Sequence, residues 1–299
     1  MKLPKAYKEI DLAGAKLLRR GKVRDIFDLG DKLLIVASDR ISAFDVVLPN
    51  AIPYKGKVLN SISAFWFRKV KNIIPSHFIT DNTDEFPIDL SEEEKEMLEG
   101  RSSLVYKGDM IDVECVVRGY LDGSGWKSYK ETGKLFDITL PSGLKQGDKL
   151  PEPLFTPTTK AQSGHDESVS FSQVKNEIGE EKAEYLKGKS IELYRTAFEY
   201  AEEKGLVLAD TKFEFTVVDD EIRLADEIFT PDSSRFWDKA AYKPGGPQPS
   251  YDKQFIRDWL SGQDWDKTPP APELPGEVIE RSVEKYLEVY RKITGRKLA

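Results

Sequence analysis

Residues 206–238, LVLADTKFEFTVVDDEIRLADEIFTPDSSRFWD, leave few architectures open. Asp210, Lys212, Glu214 and Thr216 alternate with Phe213, Phe215 and Val217, the period of a strand with one polar and one aromatic face. Asp219 and Asp220 fall at a turn, and a return strand carries Ile222, Leu224 and then Asp226. Beyond it lie Pro231, Asp232, Ser233, Ser234 and Arg235. A solvated hairpin face can carry scattered charges that do nothing. Here carboxylates, a lysine and an arginine gather on one hairpin and its exit loop, a set that suits a divalent metal holding phosphates. Mg²⁺ takes a few carboxylate oxygens and substrate phosphates in preference to His or Cys.

If Glu214 and Asp226 share an ion, the register of the hairpin is constrained. Directly opposed residues of an antiparallel pair share a face. A two-residue turn at Asp219-Asp220 would oppose Val217 to Ile222 and turn Glu214 and Asp226 to opposite faces. A loop of odd length, three residues about Asp220, opposes Val218 to Ile222, Thr216 to Leu224 and Glu214 to Asp226. The odd loop is therefore expected, with Lys212 on the same face.

A chain of 299 residues is long enough for a sizeable core or two lobes. With 39% hydrophobic and 32% charged residues, it reads as a soluble globular protein. Lys+Arg number 45 against 52 Asp+Glu, a net charge of -7, which argues against nucleic acid as a partner. The single cysteine, Cys115, excludes an internal disulfide and Cys-rich zinc sites, and is expected on a strand as a buried, inert thiol. Two histidines, His77 and His165, exclude a three-histidine metal centre. No apolar run reaches membrane-spanning length and the N-terminus lacks a signal-peptide core, so a cytoplasmic location is expected.

Along the chain, residues 15–50 read as strands with a turn at Leu29-Gly30-Asp31. Lys22 and Arg24, two apart, are expected on one strand face. Asp39, Arg40, Ser42 and Asp45 lie in a polar loop. Residues 61–74 have helical spacing, and Ser91 with Glu94 forms a capping box for a short helix ending at Gly100. Lys107-Gly108-Asp109 reads as a hinge. Val113 to Val117 reads as a strand running into Arg118 and a loop with Gly119, Gly123, Ser124 and Gly125. Residues 150–170 read as a long loop holding Lys160, His165 and Asp166. Residues 180–204 form the longest helix, with Ala183, Leu186, Tyr194, Ala197, Phe198 and Ala201 on one face. A further helix begins near 251, a Pro-rich linker spans 268–276, and an amphipathic helix closes the chain.

Four segments, GKVRDIFDLGDKLLIVASDRISAFDVVLP, VECVVRGYLDGSGWKSY, PLFTPTTKAQSGHDESVSF and LADTKFEFTVVDDEIRLADEIFTPDSSRFWD, resemble the phosphoribosylaminoimidazole-succinocarboxamide synthase (SAICAR synthetase) family in order, from about residue 15 to 260. The YDKQFIRDWL tail is similar to the longer, yeast-like branch. The resemblance implies an α+β, two-lobed fold, similar to ATP-grasp enzymes, with antiparallel sheets and a C-terminal helical extension. Its parts would be 1–110 as an N-terminal sheet lobe, 111–250 as a larger lobe with the hairpin and substrate site, and 251–299 as the extension.

It also implies a reaction. Carboxyaminoimidazole ribotide (CAIR), L-aspartate and ATP give the succinocarboxamide, ADP and phosphate through an acyl phosphate. By residue, it implies Glu214 and Asp226 on Mg²⁺. Lys22, Arg24, Lys160 and Glu214 would lie at ATP, Arg24 standing where the short bacterial form has lysine. Arg118, Ser124 and Arg235 would lie at the ribotide, with Asp39 and Ser42 on the substrate side. Lys212 would stabilise charge during transfer, and Asp210 would orient a substrate or Lys212. The linker at 107–110 would pass the adenine, and the chain is taken as a monomer. The rival readings are a small-molecule kinase of related architecture, which would not depend on aspartate, and a catalytically dead nucleotide-binding module. The second predicts loss of the acids or lysines, all of which are present.

Overall fold

A computed structural model describes residues 3–159, 168–251 and 253–298. The chain begins with β1 (Lys16–Arg20), β2 (Arg24–Asp28), β3 (Lys32–Ala37), β4 (Arg40–Ala43) and β5 (Val46–Ala51). Then come α1 (Lys55–Val70), β6 (Phe78–Thr80), α2 (Glu92–Leu98) and β7 (Ser102–Tyr106). β8 (Asp109–Met110), β9 (Val113–Tyr120), α3 (Gly123–Thr132), β10 (Lys134–Leu135), β11 (Ile138–Thr139), β12 (Lys149–Phe155) and β13 (Thr158–Thr159) follow. The remaining elements are α4 (Phe171–Ile178), α5 (Glu180–Glu203), β14 (Leu206–Val218), β15 (Glu221–Ala225), β16 (Ser234–Asp238), α6 (Gln254–Ser261) and α7 (Gly276–Thr294).

The first sheet has the order β1-β2-β3-β7-β6, antiparallel throughout. Phe27, Leu34, Val36 and Leu104 pack one face into a small core with Ile10 and Leu98. Ile26 opposes Ile35, and Arg24 opposes Ala37, so both pairs lie on the other face. Ile26, Leu33 and Ile35 stay half-buried there. β1 was hidden in the sequence reading, and it displaces Lys22 from a strand to the Gly21–Val23 turn.

β14 is the spine of the second sheet. Its first half pairs with β16 and β9, and its second half with β15 and β8. Phe213, Phe215, Leu206 and Leu208 are fully buried in the main core, which α5 covers with Ala183, Leu186, Leu193, Tyr194 and Ala197. Each such side chain contributes about 1.5–3 kcal/mol on burial. The Tyr194 hydroxyl donates to the Leu208 carbonyl at 2.6 Å, fixing helix to strand.

The odd loop is overturned. Val217 opposes Ile222 and Val218 opposes Glu221, so Asp219 and Asp220 form a two-residue turn. Both have positive φ, 51° and 61°. That is the backbone of a type I′ turn, whose twist matches the flanking strands. Aspartate tolerates the left-handed region better than most residues because its side chain bonds locally. Glu214 opposes Ala225, where β15 ends, and Asp226 leaves the strand with φ 63°. A single left-handed residue, not the turn, redirects this carboxylate.

The sheets are tied at two places. Pro75 to His77 run beside β15: the His77 N–H donates to the Leu224 carbonyl and the Leu224 N–H to the Pro75 carbonyl, both at 2.9 Å. β8 lies along the other edge of β14. A Cβ on Gly108 would come within 2.4 Å of the Val217 carbonyl oxygen, so only glycine lets the linker lie this close.

Other sequence expectations differ in extent. β9 continues past Val117 to Tyr120, and the glycine-rich segment after it opens α3. The loop expected from 150 begins instead as β12 and β13. The capping box of Ser91 and Glu94 is present, as is the long helix 180–203. In α7, Val278, Val283, Tyr286, Val289, Tyr290 and Ile293 join the main core beside Trp66 and Phe67 of α1. That core also includes Ile41 and Leu48, so it runs from the N-terminal segment through the C-terminal extension.

Candidate active site

The polar face of β14 and β9 carries the charges. Asp210 is directly opposed by Arg118 on β9 and by Arg235 on β16. Arg118 Nη1 donates to Asp210 Oδ2 at 3.4 Å, and Arg235 Nη1 donates to the same oxygen. Arg118 continues to Thr156 Oγ1 at 3.0 Å and to Ser124 Oγ at 3.1 Å. Ser124 stands in the first turn of α3, where free backbone N–H groups suit an anion. Gly123, with φ 55°, lets Arg235 reach this turn: a Cβ there would sit 2.6 Å from Arg235 Nη2. A cavity of about 270 Å³ adjoins Arg235, Asp122 and Gly123. Asp210, expected to orient Lys212 or a substrate, accepts from two arginines and holds them together.

Two residues along, Lys212 Nζ donates to Glu114 Oε1 at 2.5 Å and to Glu214 Oε1 at 2.9 Å. Burial opposes the ammonium, but Glu214, Glu114 and Asp226 outweigh it and hold the Lys212 pKa above the ordinary lysine value. Thr158 also donates to Glu114, at 2.9 Å. Glu114 is a residue the sequence reading passed over. An acid inside the otherwise apolar run VECVV was the available signal.

Arg24 on the first sheet meets Asp226 just past the end of β15 on the second. Its Nη1 and Nη2 donate to Oδ1 and Oδ2 at 2.5 and 3.0 Å, a bidentate pair spanning 202 residues of sequence. Glu227 lies 3.6 Å from Nη2. Burial opposes the guanidinium charge, and Asp226 and Glu227, with a weaker pull from Glu214, hold its pKa above the ordinary arginine value. Glu214 and Asp226 therefore act on Arg24 and on Lys212 together, despite the register. His77, also unforeseen, is buried against them; burial lowers its pKa to about 4, and its ring bonds the Asp226 backbone.

Other candidates sit elsewhere. Lys22 and Arg24 do not share a strand face: Lys22 is exposed in its turn and pairs with Asp45. Asp39 is completely buried. It accepts from the Tyr7 N–H at 2.8 Å, the Gly56 N–H at 2.9 Å and Arg101 Nη1 at 3.1 Å. It thus caps the N-terminus of α1, which has no side-chain cap of its own, and its surroundings are scaffold, not cleft. Ser42 lies half-buried on β4. Lys160, His165 and Asp166 fall outside the described residues. Cys115 is buried, as expected, and burial pushes its thiol up to about 12.

This mixed α/β architecture, with antiparallel sheets and a closing C-terminal helix, is that of a ligase. The chain belongs to the SAICAR synthetase family, whose profile it matches over residues 17–272. It is 54% identical to the phosphoribosylaminoimidazole-succinocarboxamide synthase of Thermodesulfovibrio yellowstonii over 287 residues, covering 96% of this chain and 98% of that one. The Geobacter sulfurreducens protein of the same name is 53% identical over 96% of this chain and 97% of its own. Among solved structures, SAICAR-synthase from Saccharomyces cerevisiae complexed with SAICAR superposes with a TM-score of 0.90 at 41% identity, covering 98% of this chain and 100% of that one. A SAICAR synthetase in complex with ADP gives 0.69 at 26% identity, covering 94% and 99%. The activity is SAICAR synthetase activity in de novo purine biosynthesis, and the kinase reading gives way to it. No helix among the described residues is long and apolar enough to cross a membrane.

Proposed function

We propose that the charged face of β14 is where this chain joins L-aspartate to the carboxylate of CAIR at the expense of ATP. A carboxylate does not form an amide at neutral pH without activation. The γ-phosphoryl group passes to a carboxylate oxygen of the ribotide and ADP leaves. The amine of aspartate then attacks the acyl carbon, the C–O bond to phosphate breaks, and the amine gives up a proton. Both steps need positioning and positive charge near the transferring group.

The observation that carries the reading is the Lys212 ammonium, held between Glu114 and Glu214 one step along the strand from the arginine pair on Asp210. Lys212 faces the transferring phosphoryl group and offsets its developing charge. Arg118, Ser124 and Arg235 bind the ribotide phosphate, and Asp210 fixes the spacing of the two arginines. ATP lies against the half-buried Ile26, Leu33 and Ile35, with its adenine at the 107–110 linker and its phosphates toward Arg24 and Lys22. A relative solved with ADP supports a nucleotide in this family.

The acids fit Mg²⁺. No three His, Cys, Asp or Glu side chains among the described residues form a closed metal cage. Mg²⁺ suits such an open set, because it keeps water and substrate phosphates among its ligands. Glu214 and Asp226 would hold it, and when bound it neutralises charge on the phosphate oxygens. Until then Arg24 and Lys212 balance the two carboxylates. A monomer working in the cytoplasm is part of the same proposal.

The test is ADP release. It should require CAIR, L-aspartate and Mg²⁺ together. Full turnover with a simple alcohol and none with aspartate would refute the reading.

A further inference from the structure

The loop between β15 and β16 begins with Asp226 and leads into Arg235, the second residue of β16, so it connects a proposed metal acid to a proposed ribotide contact. Its interior is tied to the protein at several points. The Ile228 N–H donates to Ser63 Oγ at 3.1 Å, the Lys212 N–H donates to the Ser233 carbonyl at 2.9 Å, and the Thr211 and Ser234 hydroxyls meet at 2.7 Å where β16 begins. A further tie is Asp232, whose side chain turns inward and is 4% exposed.

Three groups converge on that carboxylate. Lys55 Nζ reaches Oδ2 at 2.9 Å and Lys253 Nζ reaches the same atom at 3.0 Å. The Tyr286 hydroxyl donates to Oδ1 at 3.2 Å. Lys55 is fully buried at the first turn of α1, where the helix dipole disfavours a cation, so it depends on Asp232. Lys253 and Tyr286 belong to the C-terminal extension. Asp232 does not need a second lysine for neutrality. Lys253 joins it from the C-terminal extension, so this one carboxylate is held by cations from both α1 and the extension.

We infer that Lys253 and Tyr286 are positioning residues for the ligase reaction: through Asp232 they set the loop that presents Arg235 to the ribotide. The C-terminal extension is then part of the working site and not only a cover for α1. This rests on the proposed roles of Arg235 and the loop. Removing Lys253 leaves Asp232 paired with Lys55 alone and takes away one of the contacts that hold the loop.

The test compares Lys253→Met, Lys253→Arg and Tyr286→Phe in the full-length enzyme, with KM measured separately for CAIR and ATP. Lys253→Met should raise the KM for CAIR about 10-fold with less than a 2-fold change for ATP. Lys253→Arg should recover most of the loss. Tyr286→Phe, which removes one hydroxyl, should shift the KM for CAIR in the same direction by about 2–3-fold; it carries the test if Lys253→Met does not fold. Equal rises for both substrates, or no change in either, would overturn the inference. Arg235→Ala in the same assay separates the failures. If it leaves the KM for CAIR unchanged, the site reading itself is wrong; if it raises that KM while Lys253→Met and Tyr286→Phe do not, only the present inference fails.

Discussion

Single residues here are governed by what surrounds them more than by what they are. Asp210, Glu214, Asp226 and Asp232 are four acids within one short stretch, yet each has different cations. Asp210 has two arginines, Glu214 a lysine, Asp226 an arginine from the other sheet, and Asp232 two lysines. Cys115 shows the opposite case, a group that burial keeps neutral. Its folded pKa, about 12, lies above the ordinary thiol value. Below that ordinary value the thiol is protonated in both folded and unfolded chains, and it contributes no slope. Above it the unfolded chain releases the proton and the folded chain keeps it, so stability falls as pH rises, by about 1.4 kcal/mol per unit. Cys115→Ala should lack this component. Denaturant unfolding at pH 8 and pH 10 should show a loss on going alkaline that is smaller in the variant by about 1 kcal/mol; equal losses would place the thiol in water.

The hairpin is the element where sequence reasoning reached furthest and also failed. Alternation in DTKFEFTVV put Asp210, Lys212 and Glu214 on one face, and they are on one face. The turn was misjudged because function was used to choose the register, while the backbone chose it by twist. Asp219 and Asp220 both occupy the left-handed region that glycine enters at less cost. Asp220→Gly should therefore stabilise the protein by about 0.5–1 kcal/mol, a rise of about 1–3 °C in Tm. A fall in Tm would mean that the Asp220 side chain does more than turn the chain. Period and caps were legible: the Ser91 box, the 180–203 helix and the stripe of α7 all follow from local pattern. Partners were not. Nothing near Arg24 announces Asp226, and nothing near Asp39 announces Tyr7, Gly56 and Arg101. A period says which way a side chain points, and tertiary packing decides what it meets.

The main core joins parts of the chain that are far apart in sequence, and α7 closes it over α1. Six of its side chains, Val278, Val283, Tyr286, Val289, Tyr290 and Ile293, are buried there. At about 1.5–3 kcal/mol each, they supply about 9–18 kcal/mol, comparable to the net stability of a typical domain. Deleting residues 276–299 should leave a chain that is insoluble or lacks a cooperative unfolding transition. A soluble truncated enzyme with a sharp transition would show that α1 finds another cover.

β14 also dictates a timetable. It is bordered by β8 and β9 from earlier in the chain and by β15 and β16 from later, and the β9 pairing joins Cys115 to Phe213. A ribosome working at roughly 5–20 residues per second makes β9 several seconds before β14 exists to pair with it. α1 waits longer still, since its covering helix, α7, comes far later in the chain. A nascent chain of this protein therefore carries an unfinished sheet edge and an uncovered apolar helix face through most of its synthesis. Chaperone occupancy should fall only once α7 has been released.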